Sequence, residues 1–217
     1  DKIFVMGHQL TDVDSFGAAI GIYRAANALE KRAYIVINEV SASLKPLYTA
    51  YENNPDYPER LFLNSAEALE LADESSMVVV VDTNRPGMTE CEELLHVAKT
   101  IVVLDHHRQS SDNIDNALLS YIEPYASSAC EMVSEVLQYI VDDIKIPNLE
   151  ASSLYAGIMI DTNNFMNKTG VRTFEAAAFL RRSGADITLV RKMFRDDMES
   201  YRAKAQIISS AEVYHNK

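Results

Sequence analysis

The sequence predicts an α/β fold: a doubly wound, mainly parallel five-stranded sheet flanked by helices, then an all-helical C-terminal part ending in a linker helix. Three observations predict it. Short apolar runs rich in Val and Ile recur through the first half, continuous rather than alternating, which marks strands covered on both faces. Segments with helical spacing lie between those runs. From Asn148 onward the strand-like runs stop.

Taken in order, residues 3–6, 34–38, 77–81 and 101–104 read as strands, with 118–122 a weaker fifth. Residues 15–29 place Phe16, Ile20, Tyr23 and Ala26 at helical spacing, with Ser15 as the N-cap. Residues 65–71, 90–98 and 127–141 follow the same logic, and residues 53–58, with two asparagines and two prolines, form a loop. The C-terminal helices are expected at 150–160, 173–182, 187–194 and 198–214, the first carrying a Leu154, Ile158, Asp161 stripe. The chain begins at Asp1, directly before an apolar strand, and closes on the polar residues 214–217. It therefore reads as a piece of a longer protein, with residues 1–195 as one domain and 196–217 as a linker helix toward a further one.

Composition narrows the function. A chain of 217 residues that is 47% hydrophobic fits one domain with a full core. Cys91 and Cys130 lie in no metal-binding spacing and read as buried thiols in a reducing compartment. The longest apolar run, residues 77–81, is far too short to cross a bilayer. With 20 basic and 32 acidic residues, the net charge of −12 argues against a non-specific grip on long nucleic acid. A small phosphate ligand stays open, because bound cations invert the local field.

Four constellations carry chemistry. Gly7-His8-Gln9-Leu10-Thr11-Asp12-Val13-Asp14-Ser15 follows the first strand, where ligands of parallel sheets sit, and its Asp-x-Asp spacing can aim two carboxylates at separate cations. A plain capping loop is the bland alternative. Asp82 follows four valines off a central strand, so its buried charge needs a cation or a hydrogen-bond network, and it could bridge two metals. Asp105-His106-His107-Arg108 repeats that strand-end geometry: His106 is a candidate ligand, Asp105 can hold the ligating ring's other N–H, His107 is free to donate, and Arg108 suits phosphate oxygens. Asp161 ends an apolar helical stripe against the helix dipole, which a cation would relieve. Hard oxygens with few imidazoles and no thiolate favour two divalent cations, Mn²⁺ first, with Co²⁺, Fe²⁺ or Mg²⁺ as alternatives. Ser127-Ser128 is expected to cap a helix whose N-terminus could also meet phosphate.

Gly7-His8-x3-Asp12-x-Asp14, Val81-Asp82, Asp105-His106-His107 and Ile160-Asp161 resemble, in order and over essentially the whole chain, the four motifs of the DHH phosphoesterase superfamily. Ser43-Leu44-Lys45-Pro46, Asp82-Thr83-Asn84-Arg85-Pro86, Glu123-Pro124-Tyr125-Ala126-Ser127-Ser128 and Thr169-Gly170-Val171-Arg172 further resemble the DHH module of GdpP-type, membrane-anchored cyclic-di-AMP phosphodiesterases of bacteria. The resemblance implies one cation on His8, Asp12 and Asp82 and another on Asp14, Asp82, His106 and Asp161, with Asp82 bridging. It makes His107 and Asp82 the catalytic residues, His107 and Arg108 the substrate contacts, and Asp105 a residue behind the ligands. Leu10-Thr11 departs from the Asn-Pro of many relatives, which alters loop rigidity and no ligand.

The function so implied is hydrolysis of cyclic di-AMP to pApA by attack of a metal-bridging hydroxide. The alternatives are a short-oligonucleotide exonuclease or pAp phosphatase, a pyrophosphatase, and a metal-loaded, non-catalytic sensor module. Expected partners are a cyclic dinucleotide or short nucleotide, no long nucleic acid, no direct membrane contact by this stretch, and a second copy as a homodimer. The location implied is the cytoplasmic side of a membrane-anchored bacterial protein, with a C-terminal DHHA1 domain, absent here, needed for full turnover.

Overall fold

Among the described residues six strands, one more than the sequence predicts, form a single sheet in the order β3-β2-β1-β4-β5-β6, every neighbouring pair parallel. The computed structural model describes residues 2–109, 111–194 and 198–210. The strands are β1 Lys2–Met6, β2 Arg32–Val36, β3 Phe62–Leu63, β4 Met77–Val81, β5 Thr100–Asp105 and β6 Leu119–Ile122. The extra strand is β3, whose two residues extend the edge beside β2, too short to leave a hydropathy signature. β2 also stops at Val36 rather than residue 38, because Asn38 turns its side chain to Glu90 and to the Ser65 amide.

The continuous apolar runs have the expected cause. Val5, Ile35, Val79, Val81 and Leu104 point into one core layer, while Phe4, Met6, Val36, Val78, Val80 and Val103 point into the other. The first layer is closed by α1 Val13–Ala28, α2 Lys45–Glu52, α5 Ala129–Ile140, α6 Asn148–Asp161, α7 Val171–Arg182 and α8 Ile187–Met193. The second, thinner layer is closed by α3 Ser65–Leu71 and α4 Leu94–Val97. Helix α9, Met198–Ser210, accounts for the start of the expected 198–214 segment; residues 211–217, and the 195/196 domain boundary, lie outside the described residues.

Three local expectations change. The N-cap of α1 is Asp12, whose carboxylate accepts the Ser15 amide at 2.9 Å, not Ser15 itself. The expected helix at 90–98 contracts to Leu94–Val97, because Glu90 is spent on a buried loop network. Helix α2 was not foreseen; only Leu47 and Tyr51, a single i, i+4 pair, are buried along it.

Helix α1 is buried almost all round, between the sheet and α5 and α6. That packing needs close approach: a Cβ on Gly157 of α6 would lie 2.9 Å from Asp14 Oδ1 and 2.3 Å from Cys130 Sγ. The same helices are pinned further along by Arg24, which grips the fully buried Glu150 carboxylate through two hydrogen bonds of 2.6 Å. Asp14 and Asp161 are thereby held at fixed positions beside the C-terminal ends of the central strands. Among the described residues, no helix is long and apolar enough to cross a membrane.

Candidate metal centre

The strand order reverses between β1 and β4, and in open parallel sheets the crevice beyond such a switch point receives ligands. The loops leaving β1, β4 and β5 supply His8, Asp12, Asp82, His106 and His107 there, and the end of α6 adds Asp161. A cavity of about 370 Å³ opens over them. Asp14 is the one expected ligand that does not line it, being buried in the first turn of α1.

Three sets of side chains bring ligand atoms together, one of them Asp82, His106 and His107, and the other two separate into distinct groups. His8, Asp12 and Asp82 form one, and Asp14, His106 and Asp161 the other, each with ligand atoms within 4.8 Å of one another. Asp82 serves both: its Oδ2 lies 3.4 Å from His8 Nε2, and its Oδ1 lies 3.2 Å from His106 Nε2. The remaining separations are 3.6 Å from His8 to Asp12, 3.8 Å from His106 to Asp14 and 3.5 Å from His106 to Asp161. Most exceed an ordinary hydrogen bond.

Each group is held by neighbours. His8 Nδ1–H donates to the Gln9 carbonyl at 2.8 Å, which leaves Nε2 toward Asp12 and Asp82. Asp14 accepts the amides of Ala129 at 2.7 Å and Cys130 at 2.9 Å. Ser128 does cap α5, accepting the Glu131 amide at 3.0 Å. The helix N-terminus itself is therefore taken by a carboxylate, which corrects the expectation that it could meet phosphate. Asp82 sits at φ +61, a left-handed conformation unfavourable for an aspartate, with its amide donating to the Leu104 carbonyl at 2.9 Å.

Asp105 differs from expectation in its partner. It receives His107 Nδ1–H at 2.8 Å and the His107 amide at 3.1 Å, so it orients His107 rather than the ring of His106. Asn84 Nδ2 donates to the other Asp105 oxygen at 2.6 Å. Arg108 lines the cavity, and Thr83, Asn84, Arg85 and Met88 line it with no role read from the sequence. The run Asp82-Thr83-Asn84-Arg85-Pro86 was the available signal. Departure at Leu10-Thr11 is compensated: Leu10 takes φ +59, and Thr11 Oγ1 donates to Glu90 Oε1 at 2.7 Å, which ties down the loop.

Electrostatics set the same residues apart. His8 is pushed up to about 11, chiefly by its contacts with Asp12 and then Asp82. Burial would lower His106, but Asp82, Asp14 and Asp161 raise it to about 9. Burial, then the charges of Asp82 and Asp161, hold Asp14 well above the usual carboxylate range; burial likewise raises Asp161. For Asp12 and Asp105 burial acts upward but loses to the hydrogen bonds from His8 and His107, so both lie low. His107 is raised, first by Asp105.

The residues fit a pair of divalent cations. Asp82 Oδ1 is buried without a hydrogen-bond partner, carboxylates crowd one another, and the donors are imidazole nitrogens and carboxylate oxygens without thiolate. Cys130, beside Asp14, is buried with its thiol pushed well up, so it stays protonated.

Comparison with known proteins gives the family and the fold. The model of the DHH family, N-terminal domain, matches residues 2–158. The chain is 38% identical, over its whole length, to the cyclic-di-AMP phosphodiesterase PdeA of Listeria monocytogenes, and 40% identical over 98% of its length to the cyclic-di-AMP phosphodiesterase GdpP of Bacillus subtilis. It spans about a third of those relatives, 33% and 32%. The crystal structure of an exopolyphosphatase-related protein from Bacteroides fragilis superposes with a TM-score of 0.78 at 19% identity, covering 99% of this chain and 62% of that one, which shows a shared fold.

Proposed function

This chain belongs to the DHH family, and on that premise we propose that it is the hydrolytic module of a cyclic-di-AMP phosphodiesterase, opening the cyclic dinucleotide to pApA. One cation would rest on His8, Asp12 and Asp82 and a second on Asp14, Asp82, His106 and Asp161. The observation that carries this reading is Asp82, which presents one carboxylate oxygen to each histidine group. When bound, two such cations supply an activated water and positive charge for the phosphoryl oxygens. The donor set favours Mn²⁺.

The chain's own groups do the rest. Asp105, braced by Asn84, fixes His107 through Nδ1 and leaves Nε2 for a phosphoryl or leaving ribose oxygen. Arg108 offers a guanidinium fork at the cavity wall. The acidic chain, at net charge −12, favours a compact ligand over a long polymer.

The test is a substrate ranking by the full-length protein in Mn²⁺ with cyclic di-AMP, pApA, pAp and pyrophosphate, followed by nucleotide chromatography. Cyclic di-AMP should be opened to pApA. Brisk pAp hydrolysis without any cyclic di-AMP turnover would overturn the proposal.

A further inference from the structure

One wall of the cavity is left unexplained by cations and a single phosphate. The segment after β4 places Asp82, Thr83, Asn84, Arg85 and Met88 along it. Asp82 and Asn84 are engaged as described. Among the described residues the Arg85 guanidinium has no hydrogen-bond or ion-pair partner, its amide alone donating to Thr83 Oγ1 at 3.4 Å. Arg24 and Arg172, by contrast, are each clasped by a carboxylate. Met88 is 47% exposed in a cavity otherwise lined mostly by charged and polar side chains. A thioether gives a hard cation no useful ligand and phosphate no donor, whereas it packs well on an aromatic face.

The wall is also rigid. Pro86–Met88 is a 3-10 turn, with Met88 N–H donating to the Arg85 carbonyl at 3.1 Å and Thr89 Oγ1 to the Pro86 carbonyl at 2.7 Å. Gln9 N–H donates to the Met88 carbonyl at 2.7 Å, and Thr89 bridges His8 in antiparallel fashion. The backbone at Arg85 and Met88 is thus fixed relative to the loop that carries His8, so both exposed side chains start from a set position on the wall.

We infer that residues 85–88 form the nucleoside-facing wall of the cavity, Arg85 binding a phosphate other than the one at His107 and Met88 packing on the attached base. This rests on the nucleotide reading above and adds the residues that select a nucleotide over a bare phosphate. A guanidinium fork matches two phosphate oxygens, and a soft sulfur beside the purine ring gives contact area. A dinucleotide with two phosphates engages both side chains; inorganic phosphate at the metal centre engages neither.

Calorimetric binding of cyclic di-AMP and pAp to the Mn²⁺-loaded protein tests this, with wild type, Arg85→Gln and Met88→Ala compared and Mn²⁺ and inorganic phosphate as controls. Arg85→Gln should weaken both nucleotides about 10-fold or more, and Met88→Ala roughly 2- to 10-fold. Mn²⁺ and inorganic phosphate should bind all three proteins alike. Unchanged nucleotide affinity in both variants, an equal loss for inorganic phosphate, or no nucleotide binding by the wild type overturns the inference. Selective loss of binding in a protein that hydrolyses none of these nucleotides would instead sink the hydrolase reading and leave this wall assigned.

Discussion

Asp82 carries an unusual load for one side chain. It leaves a strand of four valines, adopts φ +61, buries an oxygen without a hydrogen-bond partner and faces both His8 and His106. Strain and desolvation of this kind persist only where something else offsets them, and two cations would. Asp82→Asn keeps the shape and removes the charge. Mn²⁺ affinity should fall by about 100-fold or more, the upper end of what even supporting residues behind a metal cost. Titration calorimetry, with circular dichroism to check the fold, measures it; near-normal Mn²⁺ binding would remove Asp82 from the centre. The sequence made this residue legible because an aspartate after an unbroken apolar strand is costly in any fold. It could not reveal the partner of Asp105, since which of two adjacent rings turns back to a carboxylate depends on side-chain rotation about β5.

At the scale of elements, the proposed metal centre depends on how closely three helices approach. Asp14 is aimed from α1, held by the amides of α5, and reached by α6 through the bare surface of Gly157. Gly157→Ala would place a methyl group 2.9 Å from Asp14 Oδ1. Overpacking of this kind costs roughly 1–3 kcal/mol, and here the shift falls on a proposed ligand. The expected result is a lower thermal midpoint together with weaker Mn²⁺ binding. A variant with unchanged metal affinity would show that α6 can move without moving Asp14. The sequence made α1, α5 and α6 legible because each is 12 to 16 residues long and carries many apolar residues into the core. It missed α2 and β3, whose contributions to the core are one pair and one side chain.

For the molecule as a whole, the centre links stability to pH and metal. His8 and His106 are raised to about 11 and about 9 from an imidazole value of 6.5, and Asp14 and Asp161 are raised by burial. All four bind a proton more tightly folded than unfolded. For the histidines, that contribution is fully present below the unfolded value of about 6.5 and is lost as pH rises through the folded values. Without metal, the thermal midpoint should therefore fall from pH 6.5 to pH 9 by way of these groups. Mn²⁺ must displace the same protons, so its stabilisation should grow over the same range. Scanning calorimetry with and without Mn²⁺ at three pH values tests this; a metal-induced shift that shrinks as pH rises would contradict it. The net charge of −12 adds that long duplex DNA should not be retained even at low salt, checked by gel shift.

By itself the sequence determined the fold class, the order of the parallel strands' apolar runs and the residues from which a metal centre could be built. These follow from local properties: continuous apolarity needs two covered faces, and charged residues at strand ends need partners. Only the tertiary structure decided that Asp82 faces both groups, that Asp14 occupies the N-terminus of α5, that Asp105 serves His107, and that Arg85 and Met88 share the cavity. Those relations join residues up to 116 positions apart. No spacing along one chain encodes them, because they are set by which helix packs against which strand.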